Sequence, residues 1–64
     1  ATEKLTQKEM QVLEKIGAGL TNKQIAAALF ISESTVKTHI NNIYRKTGLN
    51  SRTEAREYFS TLTA

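Results

Sequence analysis

The chain has 64 residues, a formal net charge of +3, no cysteine, no aspartate and one histidine. This inventory excludes a Ser-His-Asp triad, a Cys-His pair, a multi-histidine metal site and disulfide bonds. We therefore expect no enzyme, no cofactor and no metal, and a chain of this length is expected to form one domain over residues 1–64. The positive net charge favours an anionic partner.

No apolar run approaches the roughly 18 residues of a membrane span, and no secretion signal opens the chain. We therefore expect a cytoplasmic protein with no membrane partner.

The first predicted helix spans about residues 7–18. Thr6 and Glu9 match a capping box, in which each side chain accepts a hydrogen bond from the other residue's backbone N–H. Gly19 favours the left-handed conformation that ends a helix. Apolar residues at helical spacing predict the buried face. They are Met10, Val12, Leu13 and Ile16.

The second predicted helix spans about residues 22–29, and a second capping box, Thr21 with Gln24, begins it. A turn of about three residues leads into the next helix. Two helices joined so tightly form a helix-turn-helix.

The third predicted helix, residues 33–47, has two different faces. Ser32 caps its start, and Gly48 favours its end. The face predicted to be buried consists of Val36, Ile40, Ile43 and Tyr44. The opposite face has short or cationic side chains and no carboxylate: Ser34, Lys37, Thr38, Asn41 and Arg45. The glutamates elsewhere in the chain are interpreted as caps and surface residues. Because the opposite face of this helix carries cations and no carboxylate, it suits a polyanion.

The fourth predicted helix spans about residues 52–62. A capping box of Ser51 with Glu54 begins it. Its predicted core face consists of Ala55, Tyr58, Phe59 and Leu62. The expected fold is therefore all-α, with four helices that include a helix-turn-helix.

These residues resemble the C-terminal DNA-binding domain of the LuxR/FixJ/NarL family of bacterial transcription regulators. The matching segments cover nearly the whole chain in order: Leu5 and Thr6 with Glu9, Val12 and Leu13, then 19–26, 31–40, Lys46, 48–49 and 51–55. The sequence departs from the family at two positions, with Gly17 where alanine is usual and Arg56 where an apolar residue is common.

The resemblance implies sequence-specific binding of double-stranded DNA by a response regulator effector domain, with the third helix in the major groove. It also implies a homodimer on DNA, formed through helix 52–62, and RNA polymerase as a further candidate partner. The chain is expected to be either an excised effector domain or a stand-alone regulator.

The resemblance also implies two sets of DNA contacts. Base edges are assigned to Ser34, Lys37, Thr38 and Asn41, in agreement with the face of the third helix described above. The DNA backbone is assigned to Thr21, Asn22, Lys23, Thr35, Asn42, Arg45, Lys46, Ser51 and Arg52.

Two alternatives remain open at this point. The promoter-reading region of a sigma factor shares much of the pattern over residues 5–36, although the pattern over 48–55 favours the regulator. A helical protein-interaction module could instead use the same basic face to bind an acidic partner.

Overall fold

The computed structural model describes residues 4–63 and, for residue 63, only the backbone. Within this range the chain forms four helices and no strand. They are α1 (Gln7–Gly17), α2 (Asn22–Leu29), α3 (Glu33–Thr47) and α4 (Arg52–Thr63). The predicted all-α fold is confirmed, and each predicted helix boundary agrees within one residue.

Capping boxes begin α1 and α2 as predicted. Thr6 Oγ1 accepts from the Glu9 N–H at 3.1 Å, and Glu9 Oε1 accepts from the Thr6 N–H at 2.9 Å. Thr21 and Gln24 make the same two hydrogen bonds at 3.2 and 2.9 Å. A cap of this kind stabilises a helix by about 1 kcal/mol, so the two helix starts are defined by bonds between residues three apart.

The start of α4 differs from the predicted capping box in one bond. Ser51 Oγ accepts from the Glu54 N–H at 3.2 Å, as expected. The Glu54 carboxylate, however, accepts from the Asn50 N–H at 2.8 Å. Glu54 therefore satisfies the backbone one residue before the capping residue.

A single hydrophobic core joins the four helices, and α1 lies at its centre. α1 packs against α3 and α4, whereas α2 packs mainly against α3. α3 therefore rests on α1 and α2 and keeps its other side accessible. The core residues are Val12, Leu13, Ile16, Ile25, Ala26, Val36, Ile40, Ile43 and Ala55.

Two residues predicted to lie in the core do not. Met10 is 40% exposed and Leu62 is 48% exposed. The buried face of α1 includes Glu9 in place of Met10, because Glu9 lies three residues before Val12 and shares its side of the helix. Leu62 lies in the last turn of α4, beyond the residues that complete the core.

Gly17 permits close packing between the end of α1 and α4. A Cβ atom at this position would lie 2.3 Å from Phe59 Cδ2, well inside van der Waals contact. Glycine costs a helix up to about 1 kcal/mol relative to alanine. This cost is offset by the closer approach of the Phe59 ring, which explains the departure from the family's usual alanine.

None of the helices in residues 4–63 combines the length and apolar character needed to cross a membrane.

Candidate nucleic-acid interface

A turn of three residues, 30–32, connects α2 to α3. Phe30 ends α2 in the left-handed conformation, with φ 59° and ψ 43°. The Ile31 N–H donates to the Ala26 carbonyl at 3.0 Å, and Ser32 Oγ accepts from the Thr35 N–H at 3.1 Å. These bonds close the turn and begin α3, as a helix-turn-helix requires.

The two faces of α3 are in different environments. Val36 and Ile43 are fully buried, and Ile40 is 7% exposed. All four residues predicted to contact bases are exposed, and their i, i+3, i+4, i+7 spacing places them on one side of the helix. With the exposed Arg45 they form a surface that we call the outer face of α3. It consists of Ser34, Lys37, Thr38, Asn41 and Arg45.

Only some polar groups on the outer face have a partner within the chain. Thr38 Oγ1 donates to the Ser34 carbonyl at 3.1 Å, and Arg45 Nη2 donates to Asn42 Oδ1 at 2.7 Å. The side chains of Lys37 and Asn41 make no hydrogen bond or ion pair with any other residue in the range 4–63. Both side chains are therefore available to an external ligand.

Lys46, predicted to contact the DNA backbone, is ion-paired within the domain. Its Nζ lies 2.7 Å from Glu9 Oε1, and the two side chains are only 16% and 5% exposed. The positive charge of Lys46 is therefore already paired within the domain. Glu9 does cap α1 as predicted, but it is a buried residue and not a surface one.

The Glu9 carboxylate is stabilised in its charged form. The hydrogen bond from Lys46 and, next, the hydrogen bond from the Thr6 backbone hold the pKa of Glu9 below its usual value, against the opposing effect of burial. We call this contact the Glu9–Lys46 link. It joins the start of α1 to the end of α3, and no local sequence pattern indicates a partner 37 residues away.

Arg52 forms a second connection between helix ends. Its guanidinium donates to Asn22 Oδ1 and to the Leu20 carbonyl. We call this contact the Arg52–Asn22 link, because it ties the start of α4 to the start of α2. Asn22 and Arg52 were both predicted to contact the DNA backbone, and the structure brings them together as half-buried partners.

The other residues predicted to contact the DNA backbone lie near helix ends or beside the outer face. Thr21, Lys23 and Ser51 are exposed near the starts of α2 and α4. Thr35 is half-buried in the first turn of α3, where its Oγ1 lies 2.9 Å from Ser32 Oγ. Asn42 is half-buried beside Arg45. The starts of α2 and α3 present backbone N–H groups at positive helix-dipole ends, where anions bind favourably.

A tight turn, a two-faced α3 and an outer face without carboxylates together define a protein of the helix-turn-helix class. The sequence matches the family described as bacterial regulatory proteins, luxR family, over residues 3–59, and the chain belongs to this family. It is a DNA-binding domain of the transcriptional regulator class, which is not enzymatic. The predicted family resemblance and the prediction that the chain is not an enzyme are therefore confirmed.

Several response regulators resemble this chain. A nitrate/nitrite response regulator protein homolog from Haemophilus influenzae is 58% identical over 55 residues, covering 86% of this chain and 26% of the relative. The nitrate/nitrite response regulator NarP from Escherichia coli is 51% identical over 55 residues, with the same two coverages. The chain thus spans about a quarter of the length of these relatives.

The fold also matches a solved structure. The crystal structure of the response regulator ChrA, from a heme-sensing two-component system, has a TM-score of 0.86 and 41% sequence identity. The match covers 98% of this chain and 31% of ChrA. The family and this structure both favour a regulator domain over a sigma-factor region.

Proposed function

We propose that this domain binds double-stranded DNA in a sequence-specific manner, with α3 in the major groove. The observation that carries the proposal is the outer face of α3, where exposed short and cationic side chains lie opposite a buried apolar stripe. A major groove about 12 Å wide admits an α-helix, and its base pairs present distinct donor and acceptor patterns.

Lys37 and Asn41 are the proposed polar readers of bases. The Lys37 ammonium can donate to guanine O6 and N7, and the Asn41 amide can pair with adenine N6 and N7. Because neither side chain is engaged within residues 4–63, neither must break an internal bond to reach a base. Ser34, one turn before Thr38, completes the proposed base-reading set.

The proposed DNA-backbone contacts fall into two groups. Thr21, Lys23 and Arg45 are exposed and can reach phosphates directly. A second group contacts phosphate while also holding the domain together through hydrogen bonds and ion pairs: Asn22, Thr35, Asn42, Lys46, Ser51 and Arg52. We propose that Lys46 and Arg52 act mainly in the second way, because their charged groups already have partners.

Titration of duplex DNA at several salt concentrations tests the proposal. Neutralised phosphates release counterions, so the logarithm of affinity should fall linearly with the logarithm of salt, with a slope of about −0.9 for each phosphate that a lysine or arginine neutralises. Lys37→Ala should weaken binding to a preferred site. Lys8→Ala is the matched control, because Lys8 is equally cationic and exposed but lies on α1.

Selection of sites from random duplexes tests sequence specificity separately. Specific binding predicts an enriched sequence, with each mismatched base pair costing about 1–3 kcal/mol. If no duplex binds at low salt while an acidic peptide does, the protein-interaction module is the correct function. If all sequences bind equally, the domain binds DNA but does not read bases.

We further propose that two copies bind DNA as a homodimer through α4. Arg56 and Glu57 are neighbouring, oppositely charged and exposed on α4. In a two-fold arrangement the same surface meets itself, so Arg56 of each copy can pair with Glu57 of the other. A dimer predicts two half-sites with centres about 10 base pairs apart.

A charge swap tests this dimer. Arg56→Glu should reduce cooperative binding to paired half-sites, because it places like charges together. Combining it with Glu57→Arg should restore cooperativity, because the opposite charges are re-established. A double variant no better than the single variant, or a single unrepeated footprint, contradicts this dimer contact.

As a regulator of transcription, the protein is proposed to act in the cytoplasm, where bacterial DNA lies, with RNA polymerase as a second partner. The family of regulatory proteins supports this proposal. Transcription in vitro from a promoter carrying the selected site tests it. If adding the protein does not change the amount of transcript made by purified RNA polymerase, the proposed partnership with RNA polymerase is contradicted.

A further inference from the structure

The hydroxyl group of Thr38 is engaged within α3. Its Oγ1 donates to the Ser34 carbonyl at 3.1 Å, one turn earlier in the helix. This is the back-bonding pattern that serine and threonine adopt inside helices. The single hydroxyl proton is thus already used, and donating it to a base would require breaking this bond.

The same bond determines which atom of Thr38 faces outward. Cβ carries a hydroxyl and a methyl group in different staggered positions. Thr38 is exposed, and its hydroxyl is turned back to the helix backbone. Its methyl group is therefore the part of the side chain that is available to contact a ligand. Lys37 and Asn41, which share the outer face, retain free polar groups. The outer face therefore presents an apolar methyl group between two polar readers.

We propose that Thr38 reads DNA through its methyl group, without donating from its hydroxyl, and selects the 5-methyl group of a thymine in the major groove. Among the four bases only thymine carries this methyl group, and apolar side-chain contact is the way proteins detect it. The inference rests on the proposed function, because it applies only if α3 enters the groove. It adds that the Thr38 hydroxyl donates no hydrogen bond to a base.

Replacement of thymine by deoxyuridine tests this inference, because it removes only the 5-methyl group and leaves base pairing intact. Duplexes are made from the selected site with each thymine replaced in turn, and the dissociation constant is measured for each. For the wild-type domain, deoxyuridine at one thymine per half-site should lower the affinity about fourfold. This is the loss expected when one buried methyl group is removed.

Two variants separate the methyl from the hydroxyl group. Thr38→Val keeps a methyl group and removes the hydroxyl, so it should retain wild-type affinity within about twofold and the same sensitivity to deoxyuridine. Thr38→Ser keeps the hydroxyl and removes the methyl, so it should bind thymine and deoxyuridine equally. Circular dichroism checks that both variants are as helical as the wild type, which is expected at an exposed position.

The possible failures are distinguishable. A selection that enriches no sequence overturns the proposed function and this inference with it. An enriched site in which every thymine tolerates deoxyuridine overturns this inference alone. A Thr38→Val variant that loses tenfold or more would show that the hydroxyl group reads the base. A Thr38→Ser variant that still prefers thymine would show that another residue detects the 5-methyl group, and this would also overturn the inference.

Discussion

The outer face of α3, the Glu9–Lys46 link and the Arg52–Asn22 link contain similar polar side chains. On the outer face these side chains are exposed, whereas in the two links they are bonded to other residues. Lys37 on the outer face is exposed and has no partner among residues 4–63, whereas Lys46, nine residues later on the same helix, is 16% exposed and held by Glu9. Arg52 is likewise engaged, by Asn22 and the Leu20 carbonyl. Positive charge in the sequence is therefore not the same as charge available to a ligand.

This contrast predicts a separation of effects. Variants of the links should lower the stability of the fold, whereas variants of the outer face should lower DNA affinity and leave stability unchanged. The five predictions below run from the largest expected effect to the smallest, and the first four test that separation.

The largest effect is expected from Glu9→Gln. This change leaves an acceptor oxygen but removes the negative charge opposite Lys46 at a buried site, where hydrogen bonds to charged groups contribute about 2 kcal/mol. Unfolding by urea at pH 7, followed by circular dichroism, should show a loss of that size, a large part of the stability of a domain this small. Glu14→Gln is the matched control on the exposed side of α1, with an expected change under about 0.5 kcal/mol. Equal losses in the two variants would contradict the importance of the link.

The same link predicts the acid dependence of stability. The folded pKa of Glu9 is lowered, so its contribution is fully present above the ordinary glutamate pKa of about 4.3 and is lost as the pH falls through the lower folded value. Glu9→Gln should remove this part of the acid-induced loss. Urea unfolding repeated at several pH values below 5 measures the difference. Identical pH profiles for the variant and the wild type would contradict the assignment.

A smaller loss, about 1.5 kcal/mol, is expected from Arg52→Met, which removes both hydrogen bonds of the Arg52–Asn22 link. Arg52→Lys keeps the positive charge but lacks the planar fork that reaches two acceptors. It should lose most of the same stability while retaining more DNA affinity than Arg52→Met. If Arg52→Lys were as stable as the wild type, a role in DNA binding alone would be the better account of Arg52.

On the outer face, Lys37→Ala should weaken binding to a selected site by about tenfold, or 1.4 kcal/mol, and relax the preference at one base pair. Its unfolding free energy should change by less than about 0.5 kcal/mol. Lys46→Ala should instead weaken all sequences alike and also destabilise the fold. A selection in which both variants lose affinity uniformly would contradict this division.

The smallest effect, and the only gain, is expected at the turn between α2 and α3. Phe30 is 94% exposed and has a positive φ, a conformation that costs non-glycine residues about 1 kcal/mol or more. Phe30→Gly should therefore raise the unfolding free energy by about 1 kcal/mol. Phe30→Ala keeps the unfavourable backbone conformation and should change little. A Phe30→Gly variant less stable than Phe30→Ala would show that the aromatic ring stabilises the turn.

Much of the fold could be predicted from short-range patterns. Thr6, Thr21 and Ser32 begin their helices through bonds to residues three positions later, and Gly48 ends α3 with φ 77°. The buried face of α3 follows from residues spaced three and four apart. Because these features depend on residues that are close in the sequence, local sequence patterns predict them. The same periodicity indicated which residues lie on the outer face.

Other features were decided by how the helices pack. The periodicity of α1 suggested Met10 as a core residue, but the position of α1 against its neighbours buries Glu9 instead. The partners of Lys46 and Arg52 lie 37 and 30 residues away, and nothing local identifies them.

By itself, the sequence determined where the helices begin and end, which side of α3 is apolar, and the family to which the chain belongs. Only the tertiary structure decided which cations are free, because an ion pair depends on the distance between charges and not on their order in the chain.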